Sequence, residues 1–211
     1  MKVKLTIIQS KYYKVGDLYV VNGEPLGLVY EISDGGAHGK VVALKAHRDL
    51  NLWYRTGLPY DEIHPEDPNN VGVIARSETD GQENMKAYKQ IPDWKTHYPV
   101  AAYVSDLNDE NGNPGWYLPA IKEVQAMVGW IDGEVLSPDG EAGQEPSEAM
   151  KEKRKAINQL IVDNGGNEFY FYGYDVSFII DQTNAWEADY FNRIYTSTET
   201  DYQVHPMVFK F

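Results

Sequence analysis

Cysteine is absent from the 211 residues. There is therefore no disulfide framework, no thiol nucleophile and no thiolate metal site, and stability must come from an apolar core. Positive charge is scarce as well: nineteen Lys and Arg against thirty-two Asp and Glu leave a formal charge of −13. Such a surface repels a phosphate backbone, so nucleic acid is not expected as a partner. No apolar run approaches the roughly 20 residues that span a bilayer, and membrane insertion by this chain is not expected. The opening "MKVKLTIIQS" is too short for a signal peptide and lacks a small-residue cleavage site. A signal or anchor, if the protein carries one, lies outside this sequence.

The usual entry points to catalysis are missing too. His38, His47, His64, His97 and His205 stand singly, with no close pair to place two imidazoles on one metal. There is no GxSxG elbow, no phosphate-cradling loop ending in Lys-Ser or Lys-Thr, and no GxGxxG after a strand. The expectation is a protein that is not an enzyme and needs no cofactor. A hydrolase built on two carboxylates distant in sequence is the less favoured alternative in so acidic a chain. The best metal candidate, "DLNDENGN", offers Asp106 and Asn108 at alternate positions, but Asn111 stands where a calcium loop needs glycine and Tyr117 where it needs a bidentate glutamate. No metal site is expected there.

What is present reads as one α+β domain over residues 1–211, a length that buries about 70% of the unfolded chain's surface. Residues 1–10 are a leader strand or an added lead-in. "DLYVV", "LGLVYEI" and "KVVALK", separated by "NGEP" and "SDGGAHG", predict an N-terminal β-meander. "DEIHPEDPNN" suits an exposed loop. "GQENMKAYKQI" predicts a short helix, and "YPVAAYVSDLN" a core helix with Val100, Tyr103, Val104 and Leu107 on one face. Pro119 suits the first position of a further helix carrying Ile121, Val124, Met127 and Val128. Residues 132–147 have the composition of an acidic loop insertion. The next helix is expected to start at the cap Ser147, to turn its Lys and Arg to solvent, and to stop at Asn164-Gly165-Gly166. Short strands and long loops rich in Tyr, Trp, Asn and Asp fill the remainder, with "HPMVFKF" a candidate closing strand.

"GWYLPAIKEV" followed by "YTSTE" (195–199) resembles the paired signature of bacterial C-type-lectin-like domains, and the upstream segments are similar to surface proteins of that group related to the C-terminal domain of collagen-like adhesins. The resemblance implies a C-type-lectin-like fold in which Trp116, Leu118 and Pro119, with Tyr195, Ser197, Thr198 and Glu199, are scaffold. It also implies that the ligand surface lies in the C-terminal half, about residues 167–205. Thr196 departs from the pattern, which has Trp there. The calcium-binding triplets of the wider fold are absent, so calcium-dependent sugar binding is not implied.

The function expected is a non-catalytic module of a bacterial surface or secreted protein that binds a glycan or a host or bacterial surface protein. The alternative is a retroelement-diversified variable display protein on the same scaffold. In "NAWEADYFNRIY", Trp186, Tyr190 and Arg193 recur at helical spacing with Asp189 and Asn192 between them. Whether helix or loop, the segment would offer a stacking surface beside hydrogen-bonding groups, and these five residues are the candidate ligand site.

Overall fold

The structure, a computed structural model, describes residues 12–45, 77–97, 99–111, 115–132, 147–168, 174–179, 185–188, 194–197 and 208–211. Strands β1 (Leu18–Val21), β2 (Glu24–Ser33) and β3 (His38–Ala43) come first. Five helices follow: α1 (Gly81–Tyr88), α2 (Trp94–His97), α3 (Pro99–Asn111), α4 (Ile121–Asp132) and α5 (Glu148–Asp163). Then come β4 (Tyr174–Ile179), β5 (Ala185–Ala188), β6 (Ile194–Ser197) and β7 (Val208–Lys210). The class is α+β, with one antiparallel sheet ordered β1-β2-β3-β7 and a second ordered β4-β5-β6.

The meander has the turn its sequence asks for. Asn22 and Gly23 join β1 to β2 at φ 52° and 88°, left-handed values that match the strand twist and that Asn and Gly adopt with little strain. Between β2 and β3, Val29 pairs with Val41 and Glu31 with Lys40, which leaves Tyr30 as an extra residue. This bulge breaks the strict alternation, and Leu28, Val29 and Tyr30 are buried in succession. The "HPMVFKF" segment does close a sheet, because β7 pairs with β3 through Lys40↔Lys210, Val41↔Phe209 and Val42↔Val208.

The helices pack where their apolar stripes point. Val100 and Val104 of α3 and Val124 and Met127 of α4 are essentially inaccessible, and α4 lies against β2 of the first sheet and β4 and β5 of the second. Ser147 caps α5 by accepting from the Met150 amide at 3.3 Å. Gly165, at φ 79°, ends that helix: its amide bonds the Val162 carbonyl at 3.0 Å and the Gly166 amide the Ile161 carbonyl at 2.9 Å. Those two bonds satisfy carbonyls the helix would otherwise leave open.

Two expectations need correction. Arg154 does not face solvent; it is 5% exposed and shares the inner stripe of α5 with Ile157 and Ile161, while Lys151, Lys153 and Lys155 are exposed. A positional rule that treats every cation as solvent-facing misses a residue standing three before one core position and seven before the other. Nor is Pro119 the first helical residue. The first carbonyl of α4 to be used is that of Ala120, which accepts from Glu123 and Val124, so Pro119 lies one residue outside the cap. Residues 46–76, the acidic segment at 133–146 and Phe169–Tyr172 lie outside the described residues, as do residues 1–10.

Gly81 opens α1 at a place with no room for a side chain. An added Cβ would overlap the Leu118 carbonyl oxygen and stand 2.8 Å from the Tyr117 ring and 2.9 Å from the Ala120 nitrogen. Gly81→Ala, which favours an isolated helix, is therefore expected to destabilise this protein by about 1–3 kcal/mol. Urea unfolding followed by circular dichroism checks it; a midpoint equal to or above wild type contradicts the tight approach.

Candidate functional site

The scaffold motif is built around one carboxylate. Residues 115–120 lead into α4 without regular secondary structure, and Tyr117 forms a single bridge to β7: its amide donates to the Val208 carbonyl at 2.9 Å and the Val208 amide to its carbonyl at 3.0 Å. The Tyr117 hydroxyl donates to Glu123 Oε1 at 2.8 Å. The other oxygen of Glu123 accepts from the Ala120 amide at 2.9 Å and the Gly81 amide at 3.1 Å. Lys40 of β3 lies 3.5 Å away and also pairs with Glu31 at 3.1 Å, and Glu123 itself is only 1% exposed. Glu123 is the third residue of α4 reaching back to the cap amide, half of a capping box whose other half is a bare Ala.

The charges continue outward from there. Lys210 lies over the Tyr117 ring, 5.6 Å from its centroid, and pairs with Asp80 at 3.0 Å. Asp80 also caps α1 by accepting from Gln82 at 2.9 Å and Glu83 at 3.2 Å. Burial alone would raise the Asp80 pKa, but the Lys210 hydrogen bond and the two helix amides outweigh it, and the carboxyl sits below its ordinary value of 3.8. Burial first, and then the Glu123 carboxylate, push the Tyr117 hydroxyl far above the range in which it could ionise, so it acts as a fixed donor. Tyr30 is raised in the same way by burial, Glu123 and Glu31.

Trp116 is held from the other side. Asn108 accepts from its amide and donates to its carbonyl, both at 2.7 Å, and donates to the Val104 carbonyl at 3.2 Å. The residue that resembled a calcium ligand is thus a clamp on the Trp116 backbone, and Asp106 pairs with Lys95 of α2. Among the described residues no three His, Asp or Glu side chains converge as metal ligands. Trp116 is 7% exposed and Leu118 not at all. On its outer side Trp116 borders a cleft of about 550 Å³ between α3, the ends of β2 and β3, and the last turn of α5. Nothing in the sequence marked this cleft, whose walls come from five separate segments.

The residues chosen for ligand contact fall in the second sheet or beyond it. Trp186 lies on β5, the central strand, so Ala185–Ala188 is neither the helix nor the loop considered from the spacing. The register sets Trp186 opposite Thr196 and Glu187 opposite Tyr195 on β6. Ser197 ends β6, opposite Ala185. Asp189, Tyr190, Asn192, Arg193, Thr198 and Glu199 lie outside the described residues. Glu123 and Lys40 are the residues that sequence reasoning missed, and Asn108 takes a role other than the one its spacing suggested. A glutamate four residues after a proline at a helix start was the readable signal for Glu123; Lys40 acts through a partner distant in sequence.

No family model matches the chain, and no curated relative matches its sequence. Among solved structures, a fimbrial protein from Bacteroides ovatus is similar, with a TM-score of 0.53 over 94% of this chain at 14% identity. The match takes up 48% of that protein, so the chain spans about half its length. At this identity the likeness is one of fold. No helix among the described residues is long and apolar enough to cross a membrane.

Glu123→Ala strands one hydroxyl and two amides in the interior and leaves Lys40 without its inner partner. The expected loss is about 3–5 kcal/mol, or roughly 6–20 °C in melting temperature for a domain of this size. A shift under 2 °C in a calorimetric scan would contradict the hub. For Asp80, a lowered folded pKa means its contribution is present above the unfolded value and lost as pH falls through the folded one. Asp80→Asn keeps a capping oxygen and removes the charge, so the wild-type advantage seen at pH 7 is expected to shrink as pH falls below 3.8 and to go once Asp80 is protonated in the folded protein. Paired urea titrations from pH 7 to pH 2 measure this, and an advantage undiminished at pH 2 rejects it.

Proposed function

We propose that this chain is a non-catalytic ligand-binding module of a bacterial surface or secreted protein, C-type-lectin-like in fold, that takes a glycan or a protein through its C-terminal half. The supporting observation is the division between its two sheets. The first sheet and the "GWYLP" junction are tied together by buried Glu123 and Tyr117 and by partly exposed Lys40, whereas Trp186 is carried by the central strand of a separate sheet. Binding residues gather on elements and loops that a rigid scaffold positions. The fold shared with a bacterial fimbrial protein supports a role outside the cell, and its larger size is consistent with this module being displayed alongside other parts. A single module of this kind holds a sugar weakly, about millimolar, and reaches useful strength by multivalent display.

The test is a glycan array and a surface-protein array probed with the whole chain. Trp186→Ala and Arg193→Ala are expected to weaken capture at least tenfold while melting within about 3 °C of wild type. If both variants bind as wild type does, the C-terminal site is wrong.

A further inference from the structure

The cleft beside Trp116 lies apart from the β4–β6 sheet that carries the proposed ligand residue Trp186. Pro25 and Leu26 at the start of β2, Leu44 after β3, and Tyr103 and Leu107 of α3 give it aliphatic and aromatic walls alongside Trp116. Its volume of about 550 Å³ falls within the roughly 300–1,000 Å³ typical of small-ligand sites. The polar groups stand at its edges: Glu24 and Lys45, both exposed, and Asn164 with Gly165 at the end of α5. One carboxylate and one ammonium cancel, so the cleft offers no net side-chain charge to an ion. It does offer acceptors and donors around an apolar floor.

Its walls are also fixed before any ligand arrives. Asn108 clamps the Trp116 backbone through two bonds of 2.7 Å. The Asn164 side chain is tied to the Leu160 carbonyl at 2.8 Å, and the Gly165 amide to Val162. The Asn167 amide bonds the Leu44 carbonyl at 2.9 Å and the Leu44 amide the Leu26 carbonyl at 3.1 Å, which joins β2, the β3 end and the α5 turn across the cleft. A site held in this way loses little on ordering, and a weak ligand can use it.

We infer that this cleft is a second binding site, distinct from the β4–β6 sheet, for a neutral polyhydroxylated ring the size of one pyranose unit. The C–H face of such a ring packs on the aromatic and aliphatic wall, and its hydroxyls reach Glu24, Lys45 and Asn164 at the rim. A cationic amine would meet Lys45, and an anion would meet Glu24 on a chain of formal charge −13.

The experiment is a proton–nitrogen NMR titration of the whole chain with the methyl glycosides of glucose, galactose, mannose and N-acetylglucosamine, and separately with methylamine and acetate. At least one glycoside is expected to shift the Trp116 indole N–H and the Leu44, Lys45 and Gly165 amides saturably, with a Kd of about 1–10 mM. Glu24→Ala and Lys45→Ala, both at exposed positions, should each weaken it three- to tenfold, Tyr103→Ala more, and Trp186→Ala not at all. Shifts confined to β4–β6, or saturation of the cleft only by methylamine or acetate, overturn the inference. So does the absence of any saturable shift at 50 mM glycoside. Because the readout is specific to each site, failure here leaves the reading of the C-terminal sheet standing, and failure there leaves this one.

Discussion

One buried carboxylate decides how the parts of this protein meet. Glu123 starts its own helix, receives the hydroxyl of the strand-like residue before that helix, holds the first amide of α1 and faces a lysine from the central meander. A carboxylate in an apolar interior is unfavourable unless donors surround it, and here those donors come from three separate segments of chain. Each segment is thereby required to be in place for the others. The hydrophobic core supplies most of the favourable energy, but it would tolerate small slips in register, whereas this carboxylate would not.

That division explains which features could be read in advance. The meander, the Asn22-Gly23 turn, the apolar stripe of α3 and both ends of α5 follow from local chemistry, and local chemistry is written in consecutive residues. Trp116, Leu118 and Pro119 were legible as scaffold from the family resemblance alone. Asn108 was legible only as a polar residue with calcium-like spacing, since its partner Trp116 lies eight residues on, beyond the end of its own helix. Arg154 escaped notice for a related reason. A helix with three exposed lysines suggests that a fourth cation follows them outward, and its burial depends on what tertiary packing brings to that face.

The candidate ligand residues were harder still. Spacing in "NAWEADYFNRIY" suggested a helical stripe, and a short run with mixed aromatic and polar character satisfies several periods at once. Cross-strand pairing with Tyr174–Ile179 and Ile194–Ser197 chose the strand. What survives the change of geometry is that Trp186 occupies a central strand of a small sheet, one step removed from the charge-locked half of the molecule.

The closing of the first sheet by β7 has a temporal side. His38 and Phe211 meet across a separation of 173 residues, and β3 gains its second neighbour only from that distant segment. At a synthesis rate of roughly 5–20 residues per second, about 10–30 s pass between the emergence of β3 and of the strand that covers its edge. During that interval a hydrophobic strand edge is open on the ribosome, a template for pairing with other chains. Contacts of such long range also slow folding. The net charge of −13 opposes such pairing, because like-charged copies repel one another.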